Sequence, residues 1–132
     1  MSPVSPEVLR FVRIDELIDN VAGSEEIAVM VVDEFLVHVE PQMREISTAV
    51  EQADFARVAS AAHRFKGSLA AISATSATAT AGVLEKAGLR RDHDAVRRDL
   101  ENLRPQVESV VAALRLWRGQ TGRSSAGGKR HV

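Results

Sequence analysis

Cysteine and tyrosine are absent from this chain, and its aromatic residues are four phenylalanines and one tryptophan. Without cysteine there is no disulfide framework, no thiolate nucleophile and no thiolate metal ligand. No apolar run approaches the roughly 20 residues that a membrane span requires. The N-terminal stretch MSPVSPEVLR has no basic segment ahead of an apolar block and does not read as a signal peptide. Neither sign of charge dominates, with 17 Lys+Arg against 18 Asp+Glu, which argues against a dedicated nucleic-acid binder. There is no GxxxxGK(S/T) loop or other Gly-rich phosphate cradle, so the chain has no candidate of its own for holding ATP. No His/Asp/Glu cluster has zinc-like spacing, and no metal site is expected. The class that remains is a soluble cytoplasmic protein. Its 132 residues allow one domain with a real core.

Composition shifts at one place. Residues 118–132, RGQTGRSSAGGKRHV, are rich in Gly and Ser and hold Arg118, Arg123, Lys129 and Arg130 but no acid. A disordered basic tail is expected there, either solvated or bound to something acidic. The bundle proper, residues 1–117, then carries 13 basic against 18 acidic residues.

What is present is helical rhythm. Val29, Val32, Leu36, Val39, Met43, Ile46 and Val50 recur at steps of three and four within 24–51. Phe55, Val58, Ala59, Ala62, Phe65, Leu69 and Ile72 form a second such stripe. Val96, Leu100, Leu103, Val107, Val110, Leu114 and Trp117 form a third within 92–117. Each stripe occupies one helix face and must be buried. The small-residue run TSATATAGVLEKAG (75–88) reads as a further helix closed by Gly88 as a C-terminal glycine. Ser24, Asp54 and Asp92 are candidate N-caps. Ser5-Pro6 opens a shorter segment through Val21. Pro41 and Pro105 each remove one backbone hydrogen bond within a continuing stripe. No segment alternates as a strand. The expected fold is all-α: an antiparallel up-down four-helix bundle with an additional short N-terminal helix.

On the second stripe's helix, AAHRFKGS (61–68) places His63 at the rim of the apolar face. Its flank carries small residues, Ala56, Ala59, Ser60, Gly67 and Ala70, so the ring stands clear and another protein can approach it. Gly67, one turn on, costs about 1 kcal/mol relative to alanine in a helix interior, but it clears space beside the imidazole. Lys66 can bring its ammonium to a group on the ring, and Ser68 adds a hydroxyl nearby. A neutral imidazole nitrogen is a good nucleophile near neutral pH. Phosphoryl transfer to it depends mostly on positioning and charge neutralisation. The residues therefore suit a phosphoryl carrier whose remaining catalytic charge, including any metal, comes from a partner.

H-x-x-K-G-S preceded by Ala-Ala resembles the signature of histidine-containing phosphotransfer domains of bacterial multistep phosphorelays. The likeness extends over VAGSEEIAVMVVDEFL (21–36), the helix proline at Pro41, AVEQADFARVASAAHRFKGS (49–68) and LEKAG (84–88), covering about residues 14–116. It implies that His63 is phosphorylated and that Lys66 and Gly67 support the reaction. Glu85 falls where the family places a Glu or Gln close to the ring, and it either bonds the imidazole or is solvated. Ser73 departs from the family, which often has glycine there, and this bears on where the helix carrying His63 ends.

The function so implied is a histidine phosphocarrier without kinase activity of its own. It would shuttle a phosphoryl group between His63 and the aspartate of response-regulator receiver domains, fed by a hybrid sensor histidine kinase. The docking rim is expected to comprise Ala56, Ala59, Ser60, Arg64 and Ala70. No intrinsic cofactor is expected, Mg2+ is expected on the partner receiver, and the chain is expected to be a monomer that binds neither nucleic acid nor membrane. The alternative is a helical adaptor that binds receiver or kinase domains without being phosphorylated. The phosphoacceptor helices of sensor kinases fit less well, because they place an acid directly after the histidine where this chain has Arg64.

Overall fold

The computed structural model describes residues 6–129. Six helices follow in order: α1 (Pro6–Phe11), α2 (Ile14–Asn20), α3 (Glu25–Glu51), α4 (Phe55–Ala71), α5 (Thr75–Leu89) and α6 (His93–Lys129). No strand occurs among the described residues. Helices α3 to α6 form the expected four-helix ring, each packing on its sequence neighbour, with α6 returning against α3. Arg118 meets Asp33 early in α3 while Arg104 meets Ser47 near its end, so α6 runs antiparallel to α3.

The turns explain the antiparallel order. Each of α3, α4 and α5 ends in a residue with left-handed backbone: Ala53 (φ 51°), Ser73 (φ 58°) and Arg91 (φ 57°). The N–H of that residue and of the next one reach back to the last turn, as in Ser73 N to Ala70 O at 3.0 Å and Ala74 N to Leu69 O at 3.0 Å. This satisfies orphan carbonyls and reverses the chain within three residues. Asp54 and Asp92 then cap the next helix, their Oδ1 atoms accepting from Arg57 N at 3.2 Å and Ala95 N at 3.1 Å. Ser24 caps α3 the same way, accepting from Ile27 N at 3.2 Å.

Three expectations need correction. The N-terminal segment is two helices, not one. Arg13 leaves helical geometry between them, and its N–H donates instead to Ser73 O at 3.0 Å, tying the front of the chain to the α4–α5 turn. Gly88 does not close α5, which continues to Leu89 with Arg91 taking the left-handed position. A Cβ on Gly88 would stand 2.9 Å from the backbone nitrogen of Ala59, so the glycine serves the close approach of α4 and α5. The tail expected from residue 118 does not begin there. α6 runs on to Lys129, Arg118 Nε donates to Asp33 Oδ1 at 2.7 Å and Thr121 is buried, four residues beyond the buried Trp117. Packing of Thr121 and the Arg118–Asp33 pair holds the first turn of the expected tail in the helix. Residues 130–132 of that expected tail lie outside the described residues.

The core is one cluster. The α4 and α6 stripes are buried almost as read, with Val58, Ala62, Phe65, Leu69, Leu103 and Leu114 fully inside. The α3 face is rotated: Ala28, Phe35 and Ala49 are buried, whereas Val29, Leu36 and Met43 are only partly so. Both Pro41 and Pro105 lie inside unbroken helices. No helix is long and apolar enough, among the described residues, to cross a membrane.

Candidate functional site

Burial of Ala62 and Phe65 fixes the rotation of α4 and turns His63, Gly67 and Ala70 outward. The His63 side chain is 65% exposed. Its ring leans towards α5, where Nδ1 lies 2.9 Å from Glu85 Oε2. The other oxygen of that carboxylate accepts from Lys66 Nζ at 2.8 Å. Glu85 is thus shared by the two α4 side chains that the sequence singles out, and it is itself only 18% exposed. The hydrogen bond from Lys66 does most to hold the Glu85 carboxyl below its ordinary value of 4.5. Partial burial opposes the shift, and the bond to His63 adds to it. Glu85 is therefore a carboxylate at neutral pH. A carboxylate only accepts hydrogen bonds, so Nδ1 of His63 carries a proton, and in the neutral ring the lone pair is therefore on Nε2.

Two glycines shape the surroundings. A Cβ on Gly67 would meet nothing within 4 Å, so the space over α4 beside the imidazole is open. A Cβ on Gly82, one turn before Glu85, would lie 3.4 Å from Lys66 Cδ, an ordinary contact, so the lysine stem runs along α5 past this position.

The remaining candidates divide. Ala56, Ser60 and Arg64 line a shallow recess with His63 and Glu85. Ala59 is 6% exposed and forms the floor beneath Gly88, and so is no part of an outer rim. Ala70 is exposed two turns beyond His63 but does not border the recess. Ser68 turns to the other flank of α4, where its Oγ accepts from Gln42 Nε2 at 3.1 Å and donates to Arg64 O at 3.4 Å. It joins α3 to α4 and is not brought to His63.

Sequence reasoning missed Gly82, Leu89 and Arg91. Leu89 is 68% exposed and, with Arg91, borders the recess. The i+4 step from Glu85 to Leu89 was a usable signal, but ending α5 at Gly88 hid it. The left-handed backbone of Arg91 brings its guanidinium within 5.8 Å of the Phe55 ring, which no local pattern announces.

An exposed imidazole whose Nδ1–H donates to a fixed carboxylate and whose other nitrogen is free can accept an electrophile at Nε2. An ammonium sits on the same carboxylate, one helical turn away. The family model that matches this chain is that of the Hpt domain, over residues 30–117. Comparison with curated proteins and with solved structures finds no match.

Proposed function

The chain belongs to the Hpt domain family, and on that premise we propose that His63 is its phosphoacceptor. The family serves histidine phosphotransfer in phosphorelays as carriers, not kinases, working with response regulators and sensor kinases. In this chain the exchange runs between His63 Nε2 and the aspartyl phosphate of a receiver domain. The Nε2 lone pair attacks phosphorus, the P–O bond to the aspartate breaks, and its electron pair leaves on the aspartate carboxylate. The Nδ1 proton stays where it is. The ring becomes positive as the N–P bond forms, and the Glu85 carboxylate 2.9 Å from Nδ1 stabilises that charge. In the return direction the N–P bond breaks and the pair goes back to Nε2. No proton need be moved in either direction.

Lys66 Nζ neutralises part of the charge on the transferred group, from its place against Glu85. The exposed, side-chain-free surface at Gly67 admits the partner. Mg2+ belongs on the receiver side of the complex in this reading.

The observation that carries the proposal is the bridging of His63 and Lys66 by one carboxylate. The test is to incubate the protein with a receiver charged by acetyl phosphate and to look for an acid-labile, base-stable label. The label is expected in wild type and absent in His63→Gln. A label that persists in His63→Gln, or one that survives acid, would overturn it. A folded protein that binds receivers but takes no label would favour the adaptor alternative.

A further inference from the structure

His63 is flanked by a second tethered cation that the chemistry above does not use. Arg64, the next residue, borders the same recess as His63 and Glu85. Its guanidinium is drawn away from the ring, across the opposite flank of α4. Nη2 lies 2.7 Å from each carboxylate oxygen of Glu45 on α3. Arg57 Nε approaches the same carboxylate at 3.7 Å. The outer face of α4 therefore presents an imidazole between two cations, each tied to an acid on a different neighbouring helix: Lys66 to Glu85 on α5, and Arg64 to Glu45 on α3.

We propose that Glu45 is a positioning residue for phosphotransfer, clamping Arg64 against α3 so that the approach to His63 stays open. This rests on the reading of His63 as phosphoacceptor. The physical argument is a competition for one guanidinium. A phosphoryl group on Nε2 carries close to two negative charges and presents oxygens that match a guanidinium fork. An untethered arginine one residue away would close on it and cover the side from which a partner must come. The approach over Gly67 would then be open in the free protein and blocked in the phosphorylated one. Glu45 holds Arg64 through two short contacts, and its carboxyl is kept below its ordinary range chiefly by the Arg64 hydrogen bond. All three side chains are partly exposed, Glu45 at 32%, Arg57 at 45% and Arg64 at 53%, so the cluster contributes little to fold stability.

The test uses single-turnover transfer from the phosphorylated full-length protein to saturating receiver, with hydrolysis of the phosphohistidine followed separately. Glu45→Gln should slow transfer about tenfold, the rate equivalent of one charge-assisted hydrogen bond to be broken, and should lengthen the phosphohistidine lifetime. In an Arg64→Ala background, adding Glu45→Gln should change neither rate, because the arm it restrains is gone. Thermal stability of Glu45→Gln should stay near wild type. Wild-type transfer by Glu45→Gln would overturn the proposal. So would an equal slowing by Glu45→Gln with and without Arg64, since Glu45 would then act by another route. A wild type that takes no label on His63 would overturn the phosphoacceptor reading itself, and with it this inference.

Discussion

The carboxylate of Glu85 lies 2.9 Å from Nδ1 of His63, joining α5 to the exposed ring on α4. This contact selects the Nδ1–H tautomer of the neutral ring, and in the proposed reaction Nε2 is the nucleophile. An amide can donate as well as accept, so Glu85→Gln no longer enforces one tautomer and offers no charge to the positive ring. Phosphorylation of His63 should slow about tenfold. Long-range proton–nitrogen correlation of the imidazole should change from one tautomer to a mixture. An unchanged tautomer with unchanged rates would show that Glu85 is a bystander.

Lys66 donates to that carboxylate from the other side. Lys66→Ala should leave the helix intact while slowing transfer and shortening the phosphohistidine lifetime, roughly 5- to 150-fold, the worth of one charge-stabilising contact of about 1–3 kcal/mol. The Glu85 carboxyl should titrate higher once the largest influence lowering it is removed. Wild-type rates with a raised Glu85 titration would mean that the lysine serves Glu85 alone.

Glu85 and Glu45 both titrate below the ordinary 4.5 in the folded chain, through Lys66 and Arg64 respectively. A depressed carboxyl binds its proton more weakly folded than unfolded. Its contribution to stability is therefore complete above about 4.5 and disappears as pH falls through the lowered folded value. Urea midpoints measured from pH 7 down to pH 3 should drop below about 4.5 in wild type and less in the Glu45→Gln, Glu85→Gln double variant. Identical pH slopes for the two proteins would contradict this.

Glycines 67 and 88 should respond to alanine with opposite signs. At Gly67 the new Cβ meets open space on a helical backbone, so Gly67→Ala should gain about 1 kcal/mol of stability. Transfer should nonetheless fall as the side chain at 67 grows, steeply with Gly67→Gln, because the reacting oxygen must come within about 3–3.5 Å of phosphorus. At Gly88 the Cβ would press on Ala59 N at 2.9 Å and Phe55 O at 3.2 Å, both backbone atoms. Gly88→Ala should cost about 1–3 kcal/mol despite better helix propensity. Thermal melts decide both. A loss at Gly67→Ala would show that the glycine there serves packing and not access.

Ser73 stands in left-handed backbone with a buried hydroxyl that has no hydrogen-bond partner. Ser73→Gly removes both costs and keeps the carbonyl that accepts from Arg13. It should stabilise the protein by about 0.5–1 kcal/mol. A destabilised variant would indicate that the serine side chain packs to advantage in the α4–α5 turn.

The sequence by itself determined the helices, their order and the position of His63 on the rim of an apolar stripe. Apolar steps of three and four place Val58, Ala62, Phe65 and Leu69 on one face, which commits His63 to the edge of it. Ser24, Asp54 and Asp92 mark helix starts because capping is a local bond, complete within four residues. Lys66 and Gly67 are legible for the same reason: their relation to His63 lies within one helical turn. What the packing of α4 against its neighbours decided could not be read that way. Whether Glu85 bonds His63 or water depends on the rotation of α5 about its axis, and small residues on most sides of that helix give periodicity little to fix. The place of Gly88 depends on how closely the backbones of α4 and α5 approach where they cross at Ala59, 29 residues earlier in the chain. Glu45 and Arg64 meet across 19 residues, and Arg118 and Asp33 across 85. A stripe shows that a face is buried, but only the assembled bundle fixes which charged side chains on its exposed flanks come within reach of one another.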